Sequence, residues 1–374
     1  MLSNRYKTDF AKFDKYLLIV VGLLLAIGIL MVYSASNAYS REQNGDSLYY
    51  LKRHLIWCVL GVFLMFFAMI IPNYYFFERL AWLLLGLSAI LLVLVYVPVI
   101  GVNINGSSRW IKIGGLTFQP VELTKLSIVI YIARFLNRKA DDVKSFGHGI
   151  LPVLLVVSVF LGLIFAQPDL GSVILITLLV FLMLFIGGAK IWHLAAISSV
   201  GLIFMIFGIF CANYRIDRLF TFFNLWADPE GKGYHTIQSL YALGYGGIYG
   251  TGLGGSIQKL HYLPTPHTDS IFSVIGEELG FIGTTFVIIL FMVVVWRGIV
   301  ISLRTEDRFA SLLAIGIACI IGFQAIINIG VATGSLPSKG ITLPFISSGG
   351  SSLVTCLISI GMLLNISKNG TIGR

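Results

Sequence analysis

The residues most able to do chemistry in this chain gather where a polar loop turns into an apolar run. Pro264 and Pro266 stiffen the loop, His267-Thr268-Asp269 ends it, and the run that begins at Ile271 carries Glu277 and Glu278 in its first turns. Asp269 has two readings. Position alone makes it a helix N-cap, a place where Asp is favoured because its oxygen takes an orphan backbone N–H. The company of His267, Thr268 and the carboxylates below points instead to a general base that takes a proton from an acceptor hydroxyl. Glu277 and Glu278 fall roughly 10–12 Å down the helix from Ser270. A carboxylate at that depth must be paired, protonated or turned to an aqueous cavity. A catalytic role and a structural ion pair or interhelical hydrogen bond both stay open for the pair.

A second group lies at Gln119-Pro120-Val121-Glu122-Leu123-Thr124-Lys125. Pro120 suits a helix start, and Glu122 and Lys125, three apart, share a face. Lys125 sits about 7–8 Å below Pro120, close to the depth of Glu277, so a contact with Glu277 or Glu278 is expected. A lysine at membrane depth is a functional candidate, with a lipid phosphate as its natural ligand. Arg109 beside Trp110 reads either as a phosphate-binding pair or as an ordinary aromatic-belt anchor. Gly250-Thr251-Gly252-Leu253-Gly254-Gly255 matches G-x-G-x-x-G, but no strand precedes it and no βαβ unit surrounds it, so nucleotide binding is rejected. A tight turn is expected there, with backbone N–H groups able to touch a pyrophosphate. Asp169, after Pro168, reads as a helix cap. The residues 334–352, rich in Pro, Gly and Ser, read as a re-entrant segment lining a polar cavity. Cys58, Cys211, Cys319 and Cys356 have no metal-site spacing and read as small buried hydrophobes.

These groups need a scaffold, and composition defines it. Of 374 residues, 57% are hydrophobic and only 11% charged, and mean hydropathy is +0.91. Soluble domains carry about a quarter charged residues, so the chain is an all-α polytopic membrane protein. The net charge of +9 is explained by basic cytoplasmic loops; no basic face suits nucleic acid. Ten spans are predicted, at 17–33, 55–71, 80–100, 120–136, 150–166, 170–186, 191–212, 271–296, 309–331 and 351–366, each near the length a membrane helix needs. The distribution of Lys and Arg places both termini in the cytoplasm. The whole chain, 1–374, reads as one membrane domain, with a large extracytoplasmic loop at 213–270 between spans seven and eight. Within that loop Tyr234–Tyr245 is expected to form a short amphipathic helix on the membrane.

Several stretches together resemble one family, the SEDS proteins (shape, elongation, division and sporulation). They are Ser107-Ser108-Arg109-Trp110, Gln119–Lys125, Ala166-Gln167-Pro168-Asp169-Leu170-Gly171, His267-Thr268-Asp269, Gly276-Glu277-Glu278-Leu279-Gly280 and Leu336–Ser352, in order over nearly the whole chain. Asp228–Tyr234 and Leu336–Pro344 resemble the division branch. Two positions depart from the family pattern: Ser270 stands where an aromatic is common, and Ser348 where tyrosine is frequent. The resemblance implies a ten-span enzyme of the bacterial cytoplasmic membrane, at the septum, that polymerises lipid II into peptidoglycan. It places the family's essential loop aspartate on Asp269 and its span-four lysine on Lys125. Glu277 and Glu278 complete the expected catalytic set, and Arg109, Trp110, Glu122, His267 and Lys339 the substrate-binding set. A class B penicillin-binding protein and other divisome proteins are the expected partners, and a divalent cation, Mg or Mn, is a candidate cofactor. A lipid II flippase, or a scaffold that only activates the penicillin-binding protein, would use the same residues differently.

Overall fold

The structure is a computed structural model that describes residues 13–369, apart from 105–106, 114–115, 211–220, 232, 261 and 338–339. Aspartate side chains cap three of its helices. Asp14 takes the Leu17 N–H at 3.0 Å and opens α1 (Lys15–Asn44); Gly45, at φ 70°, closes it. α2 (Tyr49–Ile70), α3 (Tyr75–Leu94), α4 (Pro120–Arg138) and α5 (Leu151–Ala166) follow. Asp169 opens α6 (Leu170–Ile186) by accepting from the Ser172 N–H at 3.2 Å and its hydroxyl at 2.8 Å, the capping role expected of it. α7 is Ile191–Phe210 and α8 Tyr234–Gly246, the short helix expected inside the long loop. α9 (Ile271–Arg304), α10 (Arg308–Ala332, capped by Asp307) and α11 (Gly350–Asn369) complete the chain.

The helices α1–α7 and α9–α11 overlap the ten expected spans. Among the described residues seven helical segments are long and apolar enough to cross a membrane: α1, α2, α3, Phe146–Ala166 (α5 with the turn before it), α9, α10 and α11; α6 is apolar but shorter. The chain is thus a multi-pass membrane protein. α4 falls outside the seven, and its composition explains why. It carries Glu122, Lys125, Arg134 and Arg138, and most of its length is buried on every side among other helices. A helix buried all round belongs at the centre of a bundle, and α10 and α11 are similarly enclosed.

The all-α expectation needs one correction. Between α3 and α4 the chain forms a three-stranded antiparallel sheet, β1 (Gly101–Ile104), β2 (Ser107–Ile113) and β3 (Leu116–Phe118), in that order. Val102 faces Trp110 and Ile111 faces Phe118. Within β2 Ile111 is buried and its neighbour Lys112 exposed, as on a strand with one covered face.

α9 is broken at Gly280, whose φ of 67° and ψ of −164° are not helical. The glycine-rich loop is spliced into the break. The Thr251 and Gly252 N–H groups donate to the carbonyls of Glu277 and Glu278, and the Phe281 and Ile282 N–H groups donate to Gly247 and Ile248. Four backbone groups at the break, two carbonyls and two N–H groups, are thereby satisfied, as membrane depth requires. The expected turn is present, but the Thr251 and Gly252 N–H groups are occupied and unavailable to a pyrophosphate. The pairing requires close approach: a Cβ on Gly280 would stand 2.4 Å from the Gly250 nitrogen and 2.5 Å from the Ile248 oxygen. Gly280→Ala is therefore expected to cost about 2–5 kcal/mol, from a backbone region open essentially to glycine alone plus the overlap. A thermal midpoint in detergent equal to wild type would contradict that.

Candidate active site

The His-Thr-Asp corner is built by three segments that meet at one end of the bundle. α9 supplies its first turn. Its N-cap position is Ser270, not Asp269, and no side chain caps it. Ser270 Oγ instead lies 2.9 Å from His235 Nε2 on α8 and donates to the Pro264 carbonyl at 3.3 Å. The capping reading of Asp269 is thus set aside by the geometry. Its Oδ1 accepts from the hydroxyls of Thr268 at 2.8 Å and Thr265 at 3.1 Å. Thr265 adopts φ 44°, a conformation that β-branched residues avoid. Its strain presents the hydroxyl to the carboxylate. Oδ2 points toward Gly340, 3.5 Å from where a Cβ there would stand.

The segment before α11 closes the corner from the far side, in the way expected of a re-entrant piece packed on protein. Ser347 Oγ donates to the Thr268 carbonyl at 2.6 Å, and the Ser348 N–H donates to the His267 carbonyl at 2.9 Å. Asn328 of α10 donates through Nδ2 to the Asp269 carbonyl at 2.9 Å and to the Ile341 carbonyl at 2.7 Å. The backbone on both sides of the carboxylate is pinned.

His267 is 4% exposed and wedged against aromatic rings: Tyr50 at 4.3 Å and Tyr39 at 5.6 Å between centroids. Burial lowers its pKa from 6.5 to about 4, against the opposing pull of the Asp269 charge. The imidazole is neutral at physiological pH. Because the folded pKa lies below the unfolded one, the neutral ring stabilises the fold fully above pH 6.5. That contribution, about 3 kcal/mol, is lost as pH falls from 6.5 toward 4. His267→Phe, which keeps the stacking but cannot charge, is expected to flatten stability over that window in pH-resolved unfolding.

Lys125 and Glu122 meet each other and not the α9 carboxylates. Lys125 Nζ donates to Glu122 Oε1 at 2.9 Å, with side-chain exposures of 3% and 8%. Gln324 of α10 reaches Glu122 Oε2 at 3.4 Å, and its own oxygen faces the Cys356 thiol at 3.8 Å. Gln324 and Asn328 are one helical turn apart, about 6 Å of rise. One face of α10 therefore carries both the support of Asp269 and the neighbour of the Glu122–Lys125 pair.

The expected contact of Lys125 with Glu277 or Glu278 is corrected by this arrangement. Glu277 accepts from Ser256 Oγ and from the Ile257 N–H at 2.8 Å, fastening the turn that follows the glycine loop. Glu278 pairs with Lys259 at 2.7 Å and accepts from Ser34 Oγ of α1 at 2.6 Å. Equal depth on two helices does not make neighbours; these carboxylates face the loop and α1, whereas Lys125 pairs with Glu122 on its own helix. Lys259 and Ser34 carried no local signal in the sequence. Gln324 and Asn328 did, as polar residues at i, i+4 in an apolar run. Arg109 donates to the carbonyls of Gln167, at 3.1 Å, and Pro168, and its guanidinium is 4.0 Å from Asp169. It clamps the α5–α6 turn. Trp110 sits beside it in β2, half-buried. Lys339 lies outside the described residues. Among the described residues no group of three or more His, Cys, Asp or Glu could hold a metal ion.

Fold and corner define a class: a multi-pass helical membrane protein that presents a pinned carboxylate at one end of its bundle and holds a buried ion pair against the same face of α10. Residues 14–372 match the family described as cell cycle protein, FtsW/RodA/SpoVE. The chain belongs to that family, the SEDS proteins. It is 44% identical to stage V sporulation protein E of Bacillus subtilis, over 95% of this chain and 97% of the relative. It is 42% identical to a probable peptidoglycan glycosyltransferase FtsW of Trichlorobacter lovleyi, over 96% and 93%. A solved structure described as "Structural coordination of polymerization and crosslinking by a peptidoglycan synthase complex" superposes with a TM-score of 0.79 at 29% identity, covering 96% of this chain and 99% of that one.

Proposed function

We propose that the chain is a peptidoglycan glycosyltransferase that polymerises lipid II at the outer face of the cytoplasmic membrane during cell division. One observation carries the reading: Asp269 is released from helix capping, its backbone is pinned, and threonine hydroxyls aim its carboxylate. In the reaction the 4-hydroxyl of an acceptor GlcNAc attacks C1 of the donor MurNAc. Asp269 takes the hydroxyl proton as the new C–O bond forms, and the C1–O bond to the lipid pyrophosphate breaks. A positioned base of this kind is worth about 10²–10⁴-fold.

Charge that develops on the departing pyrophosphate needs a cation in place beforehand, a role assigned to Lys125. Glu122 holds that ammonium in the free chain, so the pyrophosphate competes with a carboxylate for it. Neutral His267 packs the corner. Glu277 and Glu278 serve by fixing the glycine loop and α1 around it, and Arg109 and Trp110 by holding the strand beside the α5–α6 turn. A class B penicillin-binding protein is the proposed partner, on the strength of the synthase-complex likeness.

The test is reconstitution of the purified chain, with that partner, on labelled lipid II. Polymer is expected. Translocated monomer without polymer would make the chain a flippase, and neither product would leave it a scaffold.

A further inference from the structure

The first turn of α8 reaches the reacting corner through one side chain that the proposed chemistry does not use. His235 Nε2 lies 2.9 Å from Ser270 Oγ, and the Ser270 hydroxyl donates to the Pro264 carbonyl at 3.3 Å. A hydroxyl carries a single proton. With that proton on Pro264, the imidazole is the donor, and Nε2 carries the hydrogen. Nδ1 of the same ring is buried and has no hydrogen-bond partner among the described residues. The ring therefore makes one polar contact there, and it is to Ser270.

That contact closes a loop. Ser270 is 1% exposed, and its bond to Pro264 joins the two ends of segment 264–270. Inside the ring so formed, the hydroxyls of Thr265 and Thr268 hold Asp269 Oδ1, and the Thr268 N–H donates to the Thr265 carbonyl at 3.1 Å. Thr265 stands at φ 44°, and a residue so strained keeps its conformation only while its surroundings hold it. The Ser270–Pro264 bond supplies part of that hold. His235 occupies a lone pair of the serine oxygen and so keeps the serine proton turned to Pro264.

We infer that His235 is a positioning residue: by donating to Ser270 it keeps segment 264–270 closed, so that Thr265 and Thr268 aim the Asp269 carboxylate at the acceptor hydroxyl. The inference deepens the glycosyltransferase reading and rests on it. α8 is a firm support for the task. Its far end is in backbone contact with α9, where the Gly276 carbonyl leaves no room for a Cβ on Gly246. A base shifted by an ångström still binds its surroundings but loses the near-attack geometry, so the effect of His235 falls on turnover and not on affinity.

The test uses the full chain in nanodiscs with the proposed penicillin-binding partner. It reads kcat and KM on labelled lipid II, and amide hydrogen exchange of the peptide that covers 264–270. His235→Phe keeps a ring and removes the donor. It is expected to lower kcat by about ten- to a hundredfold, to leave KM unchanged and to speed exchange in the loop. Ser270→Ala should cost the same factor, and the double variant no more than either single change, because residues that act through one contact are not additive. His235→Gln, whose amide reaches the place of Nε2, should recover most of the lost turnover. His235→Asn, whose amide reaches only the place of Nδ1, should not, and this comparison decides the matter if the Phe variant fails to fold. Wild-type kcat in His235→Phe would overturn the inference even at a lower thermal midpoint, because the residue would then be structural only. Losses that multiply in the double variant would overturn it too, as would a Gln variant as impaired as the Asn variant. A wild-type chain that makes no polymer would defeat the glycosyltransferase reading, and exchange would then judge the hold on the loop. Faster exchange in His235→Phe and not in His235→Gln keeps that hold; equal exchange in all three chains ends it.

Discussion

Asp269→Asn, reconstituted with the proposed penicillin-binding partner, is expected to lose polymer formation by about 10²–10⁴-fold while folding and substrate binding persist. The substitution is close to isosteric. Its amide oxygen can still accept from Thr265 and Thr268, which now hold the carboxylate at 3.1 and 2.8 Å. Ser270 keeps the N-cap position of α9, and Asn328 binds the backbone carbonyl, which the change does not touch. What disappears is the capacity to take a proton. Full glycan synthesis by the variant, at the wild-type thermal midpoint, would remove the base assignment.

The second large effect concerns the ion pair under the corner. Lys125→Met leaves Glu122 charged and 8% exposed, with Gln324 at 3.4 Å as its remaining neighbour. Breaking a buried pair from one side costs about 3–5 kcal/mol, whereas removing both charges costs far less. The double variant Glu122→Gln/Lys125→Gln is therefore expected to recover most of the thermal stability that Lys125→Met loses. Polymerisation should not recover with it, because no cation then stands where the pyrophosphate departs. Normal turnover by a stable double variant would make Lys125 a structural residue.

Helices were legible in the sequence because length and apolar content suffice to mark them, and the cap at Asp169 could be read as local chemistry. The sheet was harder. Its strands are short, and the apolar-polar-apolar step of Ile111-Lys112-Ile113 is too brief to mark one. The partners of the charged groups were hidden for another reason. Rise per residue gives depth, which is how Lys125 and Glu277 came to look like neighbours. The face each helix presents is decided by packing, and that sends Glu278 to Lys259 and Ser34 at 2.7 and 2.6 Å. His267 shows the same limit: its cage is made by Tyr39 and Tyr50, more than two hundred positions upstream. Asp269 and Lys125 could be singled out because an ionisable group at an apolar boundary is conspicuous wherever its partners are.

The splice at Gly280 has a mechanical consequence. A continuous rod would transmit bending and twist from the lower part of α9, Phe281–Arg304, straight to its tip. Here the rod is cut, and the tip is sewn by hydrogen bonds to the glycine loop. The corner is fastened as well to Asn328 of α10 and to Ser347 and Ser348 ahead of α11. The place of Asp269 is therefore set by those neighbours, and the shaft of α9 can bend below the seam without carrying the carboxylate along.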